Sequence, residues 1–101
     1  DNTYIIFLSD NGGRTAIPIG PEQKEARNLP LRGGKGSMYE AVLRLPFIVS
    51  GPGISENTHS NVPVTGLDIL PTIARLAGYE DPFPKKLDGG NIASVIHNNG
   101  K

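Results

Sequence analysis

Two short stretches hold residues of the kind that bind cations and anions. The first is Ser9-Asp10-Asn11-Gly12-Gly13. Asp10 offers a carboxylate and Asn11 an amide carbonyl, both hard oxygen donors suited to Ca²⁺ or Mg²⁺. Gly12 and Gly13 let the backbone turn and come close to a ligand. Two oxygens fall short of a site, since Ca²⁺ takes about 6–8. Asp, Asn and Gly are also common turn residues, so on spacing alone a plain strand-ending turn accounts for them as well. The second stretch is Leu31-Arg32-Gly33-Gly34-Lys35-Gly36-Ser37. A lysine among glycines invites comparison with a phosphate loop, and the comparison fails. A Walker motif requires Gly where Leu29 stands and Ser or Thr where Gly36 stands, and a dinucleotide fingerprint starting at Gly34 requires Gly where Tyr39 stands. What remains is a cation on flexible backbone among free N–H donors, a reasonable oxyanion grip. A solvated lysine in a surface loop is the competing reading.

Other candidates carry less. His59 and His97 stand alone in polar or terminal stretches and read as surface residues. Ser37 has no base near it in sequence, so serine-hydrolase chemistry is unsupported. Asp68 reads as a helix cap and Asp88-Gly89 as a turn. Tyr39, Glu40 and Arg44 read as a structural hydrogen-bonding set.

Elements must position these groups. Tyr4 to Leu8 is a continuous apolar run, which suits a strand covered on both faces and unstable alone. In α/β sheets ligands bind beyond the carboxyl ends of strands, where Asp10 and Asn11 fall. Residues 14–36 contain Pro18, Pro21 and Pro30 and four glycines, so they form a long connection, with a short helical turn expected over 22–28. Residues 45–50 predict a second strand, with Pro46 near its start, where Pro is tolerated. Leu67, Leu70, Ile73, Ala74 and Ala77 fall at helical spacing and predict a helix over 66–77. Thr65 or Asp68 caps its start, Pro71 sits in the first turn, and Gly78 closes the end in a left-handed conformation. Residues 91–97 predict a short final helix.

Composition narrows the function classes. The 101 residues suffice for one domain at most. Ten Lys+Arg balance ten Asp+Glu, and the cations are scattered, which argues against a nucleic-acid or anionic-membrane surface. With no cysteine there is no disulfide, no Cys-based zinc site and no cysteine nucleophile in these residues. No apolar run approaches the roughly 20 residues that span a bilayer. No initiator Met or targeting segment is visible, and the chain is expected to begin within a longer protein.

Taken together and in order, four segments resemble the sulfatase family. IIFLSDNGG, within residues 4–13, is similar to the segment in which an Asp-Asn pair completes a divalent-metal site. LRGGKGSMYEAVLRLPFIVSGPGI, residues 31–54, is similar to the family's Gly-Lys-Gly…Tyr-Glu-Gly-Gly-Ile-Arg-Val-Pro stretch. VTGLDILPTIARLAG (64–78) and LDGGNI (87–92) are similar to the segments that follow. The resemblance implies that residues 1–101 are a C-terminal portion of a sulfatase catalytic domain. It implies an α/β fold related to alkaline phosphatase, with a few strands of a mostly parallel or mixed sheet, one or two helices and long Gly/Pro-rich loops. The elements expected to matter are the strand end at 4–13, the lysine loop at 31–37, the strand at 45–50 and the helix at 66–77.

The same resemblance implies hydrolysis of a sulfate ester by a formylglycine on a bound Ca²⁺. Asp10 and Asn11 match the two metal ligands of this segment, and Lys35 matches the lysine that holds the substrate sulfate. The formylglycine and the remaining ligands belong to an upstream part, so the chain alone is not expected to turn over substrate. A phosphoester hydrolase of the same superfamily, a non-catalytic anion- or glycan-binding module and a truncated structural module are the alternatives. Ala41-Val42 stands where the family carries Gly-Gly, which puts the local backbone in question, since Val42 resists positive φ. Family habit places such proteins outside the cytoplasm, in secreted, periplasmic or lysosomal settings. Exposed strand edges invite pairing, so self-association of the chain is expected.

Overall fold

The computed structural model describes residues 2–14, 28–83 and 85–98. The helical turn expected over 22–28 falls almost wholly outside the described residues. The order of elements is β1 (Ile5–Leu8), α1 (Glu40–Leu43), β2 (Phe47–Ser50), a 3₁₀ turn (Gly66–Asp68), α2 (Ile69–Leu76) and α3 (Ala93–His97). The chain divides into two compact units, one of Asp1–Ile5 with Val49–Lys101 and the other of Ile6–Ile48.

The apolar run at 4–8 forms β1 and the run after Pro46 forms β2. The two strands are neighbours in a two-stranded antiparallel sheet. The start of β1 lies beside the end of β2, with the Tyr4 ring packed where a Cβ on Gly51 would stand. Both strands start one or two residues later than the apolar pattern suggested. The expected cover on both faces of β1 is absent among the described residues, where Ile5 is 64% and Phe7 58% exposed. A continuous apolar run is buried only when other elements lie on each side of it.

In the larger unit, α2 arises as its pattern predicts, with a 3₁₀ turn in front. Thr65 takes the extended conformation of an N-cap, and its backbone N–H donates to Asp68 Oδ2 at 2.6 Å. Pro71 lies in the first turn of α2, where its missing N–H is not needed. Gly78 closes the end at φ 82°, the left-handed conformation for which glycine costs least. The apolar stripe Leu67, Leu70 and Ile73 is exposed, however. The face that packs carries Pro71 and Thr72, both buried, and α2 contacts α3.

Thr72 is the most buried side chain among the described residues, 1% exposed. Its hydroxyl donates to the Asp68 carbonyl at 2.6 Å and accepts the Ile92 N–H at 3.0 Å. Asp68 Oδ1 accepts the Gly90 N–H at 2.7 Å. Gly89 passes so close to the 3₁₀ turn that a Cβ there would lie 2.0 Å from the Leu67 carbonyl oxygen. Asp68 therefore does more than cap: with Thr72 it bolts the Gly89–Ile92 segment to the helix start. Asn91 Oδ1 then accepts the Ala93 N–H at 2.9 Å as α3 begins.

Candidate functional site

The smaller unit, Ile6–Ile48, holds Asp10, Asn11 and Lys35. Asp10 is exposed and Asn11 half-buried at the end of β1. The Ser9 hydroxyl donates to the Asn11 carbonyl at 2.7 Å, which tightens the turn. The Asn11 amide donates to Asp10 Oδ1. Asp10 Oδ2 and Asn11 Oδ1 are left as the oxygen donors of the pair. These are hard donors and fit a cation such as Ca²⁺, but they are two where about 6–8 are needed. Among the described residues no three His, Cys, Asp or Glu side chains gather as a metal-binding group.

The lysine loop is held against this turn through the backbone. The Lys35 N–H donates to the Gly13 carbonyl at 3.1 Å, and the Ser37 N–H to the Gly34 carbonyl at 3.0 Å. The turn 34–37 has Lys35 second and Gly36 third, at φ 92°. A positive φ at the third residue is the pattern of a type II turn, and it calls for glycine. The Ser37 hydroxyl closes the turn again, donating to the Gly34 carbonyl at 2.9 Å and accepting the Gly34 N–H at 3.2 Å. This corrects one expectation. The N–H groups of Gly34, Lys35 and Ser37 are committed within the fold, so they do not form an oxyanion grip. What the loop presents is the exposed Lys35 side chain on a stitched turn.

Asn28 adds a second tie. Its Oδ1 accepts the Gly13 N–H at 3.1 Å. Its Nδ2 donates to the Gly13 carbonyl at 2.9 Å and to the Gly33 carbonyl at 3.0 Å. Sequence reasoning missed this residue, because a side chain bonding two distant backbone segments leaves no local pattern.

α1 backs the site. A Cβ on the buried Gly12 would lie 2.1 Å from the Ala41 carbonyl oxygen, so only glycine fits that approach. Ala41 is 3% exposed and donates its N–H to the Arg32 carbonyl at 3.2 Å. The Arg32 guanidinium carbon stands 4.1 Å from the Tyr39 ring centroid, a cation–π contact that sequence reasoning also missed. Of the expected set Tyr39, Glu40 and Arg44, Glu40 and Arg44 form an exposed ion pair at 3.7 Å, whereas Tyr39 packs against Arg32 instead. Ala41 and Val42 both lie in α1, and neither has positive φ. The doubt raised by the missing Gly-Gly is thus removed, because this chain has no need of glycine there. A pocket in the same unit is lined by Phe7, Asn11, Asn28, Arg44 and Pro46 among others, but Asp10 and Lys35 do not line it.

His59 is exposed, as expected. His97 is engaged with Tyr4, whose hydroxyl lies 3.2 Å from Nε2 and donates to the Pro52 carbonyl at 2.9 Å.

A family model described as Sulfatase matches residues 1–79. The chain belongs to the sulfatase family. A sulfatase of Formosa agariphila is 40% identical over 100 residues, covering 95% of this chain and 17% of that protein. The steryl-sulfatase of Rattus norvegicus is 33% identical over 98 residues, 94% of the chain and 17% of the relative. The human N-acetylglucosamine-6-sulfatase is 33% identical over 99 residues, 95% of the chain and 15% of the relative. This sulfatase sequence therefore spans about one sixth of the length of these relatives. No helix among its described residues is long and apolar enough to cross a membrane.

Proposed function

We propose that the chain is a C-terminal portion of the catalytic domain of a sulfuric ester hydrolase, to which it contributes Asp10, Asn11 and Lys35. The carrying observation is the backbone bond from Lys35 N–H to the Gly13 carbonyl, which sets the lysine turn against the Asp10-Asn11 turn. Asp10 and Asn11 supply two of the oxygens that hold a Ca²⁺. When bound, that ion polarises the sulfuryl oxygens and lowers the pKa of the attacking group. Lys35 binds the ester's anionic sulfate and opposes the charge that grows during cleavage, the role for which a fixed cation at such a site is suited. The formylglycine nucleophile and the remaining ligands come from outside these residues, so the chain alone does not turn over. The fold proposed for the whole domain is the mixed α/β sheet of the alkaline phosphatase relatives, of which β1 and β2 form one pair. The test is a full-length protein carrying Asp10→Ala. Bound calcium by elemental analysis and hydrolysis of an aryl sulfate are expected to fall together. Retention of both contradicts the assignment.

A further inference from the structure

We propose that Asn28 is the positioning residue that fixes the lysine turn on the Asp10-Asn11 turn; this rests on the sulfatase reading of that site. One carboxamide makes three bonds to two backbone segments, Gly13 and Gly33, that lie 15 and 5 residues away. The two ends of the group are distinguished by their partners. A backbone N–H needs the amide oxygen, and two carbonyls need the amide N–H groups. Asn28 meets all three demands, whereas Asp has no donors and Ala has neither donor nor acceptor.

The Gly13 carbonyl is the junction, since it accepts from both Asn28 Nδ2 and the Lys35 N–H. Both its lone pairs are then used, and the two segments are referred to one oxygen atom. Asn28 is itself anchored, because its carbonyl accepts the Leu31 N–H at 2.8 Å. Gly33 has no room for a side chain, because a Cβ there would meet Ser37 Oγ at 2.6 Å and Tyr39 Cβ at 2.9 Å. A lysine that must face a metal-held sulfate needs placement to a fraction of an ångström, and a shift of about 1 Å can cost about 10²-fold in rate.

The experiment is a double-mutant cycle in the full-length protein, read by kcat/KM for an aryl sulfate and by amide hydrogen exchange. Asn28→Ala is expected to lower kcat/KM by about 10- to 100-fold. In a Lys35→Ala background the same change is expected to cost less than about twofold, because a misplaced lysine cannot matter once removed. Exchange at the Lys35 amide should accelerate, while that of Ala77, bonded to the Ile73 carbonyl in the other unit, stays unchanged. Asn28→Asp keeps the acceptor and loses both donors, and it should repeat the pattern should the alanine variant fail to fold. An equal loss in both backgrounds, or unchanged Lys35 exchange, overturns the proposal. If instead Lys35→Ala leaves kcat/KM unaltered while Asn28→Ala still frees the Lys35 amide, the tie stands and the sulfatase reading of Lys35 fails.

Discussion

Asp68 accepts from the backbone N–H of Gly90 and from that of Thr65, and these bonds hold its carboxyl below its ordinary value of 3.8. A lowered folded-state value means that the ionised form is favoured by folding. The stabilisation is then fully present above 3.8 and is lost as the pH falls below that value toward the lowered one. Thermal melts on either side of that pH are expected to show a steeper acid loss for the native chain than for Asp68→Asn. Parallel curves for the two would remove Asp68 from the account. The same residue scale marks what the sequence made legible. Asp10, Asn11 and Lys35 stand out in the sequence only through the ordered resemblance of their segments to the sulfatase family, because their spacing alone reads equally as a turn and a surface loop. Asn28 and Arg32 do not stand out, because their partners are backbone atoms and a ring that only folding brings near them.

Elements carry the site by close approach. α1 packs its Ala41 carbonyl onto Gly12, two residues after Asp10, and leaves no room for a side chain. Gly12→Ala is expected to destabilise the fold by about 1–3 kcal/mol, the usual cost of overpacking. Denaturant midpoints measure it, and a change within error would show that α1 yields without cost. The element pattern is largely legible in the sequence: apolar runs at 4–8 and 45–50 contain β1 and β2, the helical spacing over 66–77, with Thr65 or Asp68 as cap and Gly78 at the end, contains α2, and 91–97 contains α3. α1 was not foreseen, because Glu40–Leu43 is a single turn too short to show a period. The stitching of the lysine loop was also hidden, since glycine composition reads as freedom while Ser37 and Gly13 remove it.

For the whole molecule the notable quantity is uncovered apolar surface. Phe7 on β1, Ile48 on β2, Leu67 of the 3₁₀ turn and Leu70 and Ile73 of α2 are all exposed, while among the described residues the buried apolar side chains include only the small Ala41, Pro71 and Ala93. Surfaces of this kind associate in water. Sedimentation of the isolated 101 residues is expected to show concentration-dependent self-association, and a monomer at every concentration would contradict this. The central claim is that Lys35 holds the substrate sulfate of a sulfatase. It is tested most directly by aryl-sulfate turnover of the full-length protein with Lys35→Ala at unchanged calcium content. The account predicts a fall of about 10²–10³-fold, the usual loss when one such charge-stabilising group is removed. Turnover equal to that of the unmodified protein would contradict it.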